Sequence, residues 1–304
     1  MKNQFIPQSI PHPGETLDEK LEEMGMGPKE FALRTGKPEK TITAVLKGES
    51  AITPDMAVMF ENVTNIPADF WATRQMNYDE FQARKKRKAV IDDAVEWANK
   101  FPLSAMTEKG WIPSGRTSGD QAAALLLFFG FANHKVWEKY YFDQQLKASF
   151  KISLAKIEEP YSISAWLRQG DLEATTLEAG VYAEKRFREL IPVLKDLVVQ
   201  PPSDVFEELQ RLCLGAGVKV VITPRLPKTS ISGCTRWLND TPLIQLAGDL
   251  INHNDFWFTF FHEAGHILLH GKKDIFLEKT EYGDSDEQKE KEADDFASKC
   301  LYSA

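Results

Sequence analysis

The sequence predicts a mainly helical protein with a small β-sheet, of the α+β class, and three observations predict it. Short helical segments punctuated by proline and glycine fill the N-terminal part. A nearly all-apolar helix carries His262-Glu263-Ala264-Gly265-His266 near the other end, and short strand-like runs stand at Val218–Ile222 and Leu243–Leu246. At 304 residues the chain has room for one to three domains. The expected division is 1–88, a helix-turn-helix domain; 89–202, a helical connector; and 203–304, a domain built around the histidine helix.

Pro28 to Gly36 reads as a short helix closed by glycine, and Lys37 to Gly48 as a second, with proline near its start and glycine after its end. Phe31, Ala32, Ile42, Val45 and Leu46 fall on a shared inner side. Glu39, Lys40, Thr41, Thr43 and Lys47 fall outside. Two such helices form a helix-turn-helix, whose second helix enters the DNA major groove in proteins that bind it. Thr53-Pro54 opens a further helix, and Pro67 another with Phe70 and Trp71.

Spacing alone supports only a small helical domain. The wording goes further: His12-Pro13-Gly14-Glu15, the two helices, Gly48, Ile52-Thr53 and Pro67-Ala68-Asp69-Phe70-Trp71 resemble the HigA-type antitoxins of the XRE (lambda-repressor-like) helix-turn-helix family, over roughly Ile10 to Arg84. That resemblance implies a double-stranded DNA operator and a homodimer reading paired half-sites. It puts Lys40, Thr41 and Thr43 nearest the bases and Lys47 at a phosphate, a contact that positions without specifying sequence. Acidic and basic residues balance over 1–88, so no broad basic footprint accompanies the motif. Arg84-Lys85-Lys86-Arg87-Lys88 is the basic cluster, readable as a solvated linker helix or as a backbone contact.

From Ala89 to Pro202 the pattern is helical. Asp120 to Gly130 reads as a capped, buried helix, and Val136–Tyr141, Ile163–Arg168 and Leu177–Leu194 carry helical periodicity. Leu127-Phe128-Phe129-Gly130 and Ala165-Trp166-Leu167-Arg168 resemble the connector of fused XRE–ImmA/IrrE regulators, and their aromatic residues are expected in its core. Pro201-Pro202-Ser203 marks a break.

His262 and His266 stand at i and i+4 on one helical face, close enough to share one ion. Glu263 follows the first histidine, where it can hold a water without itself being a ligand. This H-E-x-x-H spacing arises by accident in about 1% of chains of this length. A third ligand is expected from the helix over Glu287–Leu301, whose inward residues are Ala293, Phe296, Ala297, Cys300 and Leu301. Glu292 borders that stripe and is the expected ligand, with Glu290 pointing to solvent. His270 lies about 12 Å along the helix from His262 at 1.5 Å per residue, too far to share the ion, and is assigned at most a place behind the ligands or at the rim.

H-E-A-G-H-I-L-L-H followed by E-A-D-D-F-A resembles the ImmA/IrrE family of zinc metallopeptidases, whose pattern is H-E-x-x-H and then E-A-N-x-F-A, over roughly Val205 to Ala304. Asp294 stands where that family usually has asparagine, and the chain ends at Ala304 where relatives continue. The resemblance implies a zincin-like fold, with a strand at Leu243–Leu246 beside the metal helix, an edge that can hold an extended peptide. It implies a zinc ion held by His262, His266 and Glu292, Glu263 as general base, and a regulatory protein, possible self included, as substrate.

Two readings follow. One is a DNA-binding regulator with a zinc-dependent endopeptidase domain. The other is a HigA-like antitoxin or repressor, with a toxin partner, whose zinc domain is a non-catalytic sensor. Intact Glu263 favours the first and the end at Ala304 the second. No apolar run reaches about 18 residues and no basic-then-apolar leader opens the chain, so no membrane span or signal peptide is expected. The three cysteines are widely spaced, as expected of buried thiols in a reducing cytoplasm. The net charge of −8 bears on solubility rather than fold.

Overall fold

A computed structural model describes residues 9–144, 159–199, 204–229, 231–248, 253–271, 276–277 and 284–302. It is mainly helical with one four-stranded sheet. The chain divides into two compact units, Met1–Val90 and Ile91–Ala304.

In the first unit, α1 (Pro13–Glu23) is followed by α2 (Pro28–Thr35), α3 (Glu39–Leu46), α4 (Pro54–Thr64) and the long α5 (Ala68–Asp93), these last four starting at or just after the expected prolines. Gly36 closes α2 at φ 67, a left-handed conformation that costs glycine little. Thr53 caps α4 by accepting from the Met56 amide. Leu17, Phe31, Ile42, Val45, Phe60 and Trp71 form the fully buried centre. The His12-Pro13-Gly14-Glu15 segment forms the start of α1. His12 Nδ1 accepts from the Gly14 amide at 2.9 Å and caps α1, while Pro13 fills the first turn. A Cβ at Gly14 would run into the Val45 carbonyl, so glycine lets α1 lie flush against α3.

The second unit opens with α6 (Val95–Ala98), α7 (Leu103–Glu108), α8 (Ser118–Phe129) and α9 (His134–Glu138), the last continuing as a π-helical turn at Lys139–Gln144. The cap of α8 is Thr117, paired reciprocally with Asp120. Then come α10 (Pro160–Thr175), α11 (Glu184–Val199), α12 (Val205–Gly215), β1 (Lys219–Thr223), β2 (Gly233–Leu238), β3 (Thr241–Ala247), α13 (His253–Leu269), β4 (Phe276–Leu277) and α14 (Asp284–Tyr302). Helical structure within the expected Leu177–Leu194 segment starts only at Glu184.

The strands run in the order β1-β3-β2-β4, with β1 and β3 parallel and β2 antiparallel to both β3 and β4. Alternation sends Ile244 and Leu246 of β3 into a core with Trp257, Phe260, Phe261 and Ala264 of α13. Gln245 points the other way and donates to the Trp166 carbonyl of α10 at 2.8 Å. Arg236 of β2, buried, joins that second face by pairing with Asp171 at 2.7 Å and donating to the Leu167 carbonyl. Residues expected as a connector therefore supply the helix that covers one face of the sheet. One expectation is corrected here: β3, the strand at Leu243–Leu246, lies between β1 and β2 and offers no free edge. It does lie against α13, as expected, and β2 packs on that helix beside it. Among the described residues no helix is long and apolar enough to cross a membrane, and Cys213, Cys234 and Cys300 are free and buried.

Candidate functional site

The site is built from two packed helices and one strand. Phe260, Phe261, Ala264 and Ile267 seat α13 in the core, which turns His262, Glu263 and His266 inward at 2%, 0% and 1% exposure. Gly265 faces α14: a Cβ there would lie 3.3 Å from the Ala293 backbone and 3.2 Å from the Phe296 ring. Glycine at this position thus lets the two helices approach closely.

On α14 the inward stripe runs through Ala293, Ala297 and Cys300. Counting back three residues from Ala293 reaches Glu290, and that residue completes the cluster. Its Oε2 is 3.2 Å from His262 Nε2, its Oε1 is 3.5 Å from His266 Nε2, and the two histidine nitrogens are 3.0 Å apart. Donors about 2.05 Å from a tetrahedral zinc stand about 3.3 Å from one another. Two imidazoles and a carboxylate at these separations suit a cation of that size, and they are a group among the described residues that could hold one.

The expectation for the third ligand is thereby corrected. Glu292 does not meet the two Nε2 atoms; its Oε2 is 3.1 Å from His270 Nε2, and its side chain is 46% exposed against 19% for Glu290. The signal that would have found Glu290 is the three- and four-residue spacing of Ala293, Ala297 and Cys300. Phe296 lies only half-buried beside that stripe, and a face centred on it puts Glu292, one turn before it, in place of Glu290. Asp294 was also missed as a contributor: its Oδ1 lies 2.9 Å from His262 Nδ1.

The electrostatics follow from this geometry. Burial alone would lower the pKa of His262, but its bonds to Asp294 and Glu290 and the charge of Glu263 reverse the effect and push it up to about 10. His266 goes the other way: burial, then the positive charge of His262 and His270, hold it far below the ordinary range. The carboxylates around His262 thus favour its cationic form. A field that favours a proton there also favours a cation.

Glu263 is enclosed by β2. A Cβ at Gly233 would stand 2.5 Å from Glu263 Oε1 and 2.7 Å from Thr259 Cγ2. Thr235, two residues along, donates its hydroxyl to the Glu263 carbonyl at 3.0 Å and ties the strand to the helix. The missing side chain of Gly233 forms the slot that the Glu263 carboxylate occupies.

In the first unit, Lys40 and Lys47 are exposed and Thr41 and Thr43 half-buried. Lys40, Thr43 and Lys47 follow at three- and four-residue steps along α3, one face of it, with Thr41 on its flank. Ile42 and Val45 hold that helix from beneath.

Comparison with known proteins gives a finding for each end. Residues 215–302 match the model of the IrrE N-terminal-like domain, peptidase family M78. The N-terminal region is similar to the uncharacterized HTH-type transcriptional regulator YddM of Escherichia coli (strain K12), 29% identical over 75 residues, which is 25% of this chain and 80% of that protein. An addiction module antidote protein of a HigA family from Coxiella burnetii is 31% identical, covering 28% of this chain and 95% of its own, with a TM-score of 0.27. A putative antidote protein of a plasmid maintenance system from Nostoc punctiforme is 26% identical, covering 26% and 87%, with a TM-score of 0.26. The C-terminal part of this chain therefore carries an IrrE N-terminal-like, metallopeptidase-like domain, joined to an N-terminal region that resembles helix-turn-helix transcriptional regulators.

Proposed function

We propose that this chain is a DNA-binding regulator carrying a zinc-dependent endopeptidase, with His262, His266 and Glu290 as the metal ligands and Glu263 as the general base. The observation that supports it most is the convergence of three ligand atoms within 3.5 Å, beside a glutamate held in a glycine-lined slot. A zinc ion there would lower the pKa of a water and polarise a peptide carbonyl.

The chain's own groups do the rest. Asp294 holds the His262 ring by accepting from its Nδ1, which leaves Nε2 as a lone-pair donor. Glu263 accepts a proton from the attacking water and passes it to the leaving amine. The buried surroundings keep bulk water from competing for that carboxylate. At the other end, Lys40, Thr41 and Thr43 would face bases and Lys47 a phosphate. By this reading the substrate is a regulatory protein, this chain among the candidates, and the DNA-bound form is a homodimer in the cytoplasm.

The near-complete burial of His262, Glu263 and His266 favours a second reading, in which the domain senses metal without cleaving and the chain acts as a HigA-like antitoxin or repressor of a toxin partner. One experiment separates the two. The full chain is incubated with zinc, alone and with a peptide library, and products are read by mass spectrometry beside Glu263→Gln. Zinc-dependent products that vanish in Glu263→Gln, at unchanged zinc content, support the peptidase. Zinc bound with no products in either protein supports the sensor, and products unchanged in Glu263→Gln exclude that residue as the base.

A further inference from the structure

His270 is not one of the three converging ligands, yet its side chain is only 4% exposed although it follows the last residue of α13. Its Nδ1 sits 3.0 Å from Nδ1 of His266. Its Nε2 sits 3.1 Å from Oε2 of Glu292, and the other oxygen of Glu292 accepts from Gln288 at 2.8 Å. A buried imidazole joins a ligand histidine to a carboxylate on the neighbouring helix.

The proton positions follow by elimination. A histidine that offers its Nε2 lone pair to a cation carries its proton on Nδ1. His266 Nδ1 is then a donor, so the nitrogen 3.0 Å away must accept. His270 therefore bears its proton on Nε2, where Glu292 can only accept. Every contact in the series then has one donor and one acceptor.

We propose that His270, held by Glu292, is a positioning residue that sets the tautomer and ring orientation of His266. The inference rests on reading His262, His266 and Glu290 as a cation site. It gives α14 three tasks at that site: Glu290 is a ligand, Asp294 orients His262 directly, and Glu292 orients His266 through His270. The direct contact and the relayed one are related by the helical step. His262 and His266 lie four residues apart on α13, whereas Asp294 and Glu292 lie only two apart on α14, and the second imidazole spans the difference.

The test uses the full chain with ¹⁵N-labelled histidine, free of metal and then titrated with zinc against a chromophoric chelator. In the metal-free wild type, long-range proton–nitrogen spectra are expected to show His266 as the Nδ1–H tautomer. His270→Ala is expected to mix in the Nε2–H form and to weaken zinc binding about 10- to 100-fold. His270→Asn, whose side-chain oxygen can accept near the lost Nδ1, is expected to keep the Nδ1–H tautomer and most of the affinity. Glu292→Gln should fall between His270→Ala and the wild type. An unchanged tautomer or wild-type zinc affinity in His270→Ala overturns the proposal, as does His270→Asn behaving like His270→Ala. Loss of the cation reading looks different: the wild type takes up no zinc, while the His266 tautomer still follows His270.

Discussion

Asp294 Oδ1 lies 2.9 Å from His262 Nδ1, so the aspartate braces the first histidine from the nitrogen opposite the one that faces Glu290. Carboxylates in this position fix the ring and raise its basicity, and their loss typically costs 10- to 100-fold in metal affinity. Asp294→Ala is therefore expected to weaken zinc binding about 10- to 100-fold. Asp294→Asn keeps an accepting oxygen and should stay closer to the wild type, in line with the asparagine usual in the ImmA/IrrE pattern. Chelator competition measures both; equal losses in the two variants would show that charge, not hydrogen bonding, carries the effect.

Gly233 makes a separable prediction, because the atoms nearest to it belong to Glu263 and Thr259. A Cβ placed 2.5 Å from Glu263 Oε1 must displace that carboxylate. General bases contribute about 10²- to 10⁴-fold. Gly233→Ala should keep its zinc and lose cleavage by at least about 10²-fold. Zinc content and product yield on one preparation decide it, and a wild-type yield would remove Glu263 from the slot described.

His12 predicts a pH dependence for the N-terminal unit. Burial lowers its pKa from the ordinary 6.5, with the charges of Asp79 and Glu15 pulling upward. The unfolded chain then binds the proton more readily than the folded one, so acid favours unfolding. The cap's contribution, on the order of 1 kcal/mol, is complete above pH 6.5 and lost as pH falls through the lowered folded value. Hydrogen exchange of α1 in the full chain, corrected for intrinsic rates, should show protection falling in that window. His12→Asn supplies an acceptor that does not titrate and should flatten the profile; an identical fall in both proteins would assign it elsewhere.

The outward face of α3 predicts two kinds of loss in operator binding. Lys47→Ala should weaken binding to every sequence alike and reduce the salt slope by about 1. Thr43→Ala and Lys40→Ala should change which sequences are preferred. Fluorescence anisotropy over a salt series, on an operator selected from a random pool, distinguishes them. A Lys47→Ala protein with an unaltered salt slope contradicts the phosphate contact.

The elements that were legible in the sequence are those with local causes. Proline starts, glycine stops and the apolar period mark α2, α3, α4 and α13, and the i, i+4 histidines need only one helix to be paired. What was not legible depends on how elements meet. Glu290 and Glu292 differ by two positions in an acidic run, and the choice between them rests on how α14 is rotated against α13. That rotation is set by Gly265 against Ala293 and Phe296, a contact between distant segments. The slot at Gly233 and the brace from His270 are likewise products of tertiary packing. The place of β3 inside the sheet was hidden for the same reason, since strand order is not a local property.

The most direct test of the site is zinc stoichiometry at saturating metal in four full-length proteins: wild type, His262→Ala, Glu290→Ala and Glu292→Ala. About one zinc per chain is expected in the wild type and in Glu292→Ala, the latter bound more weakly, with loss of the ion in His262→Ala and Glu290→Ala. Loss in Glu292→Ala with retention in Glu290→Ala, or no zinc in the wild type, would contradict the ligand assignment.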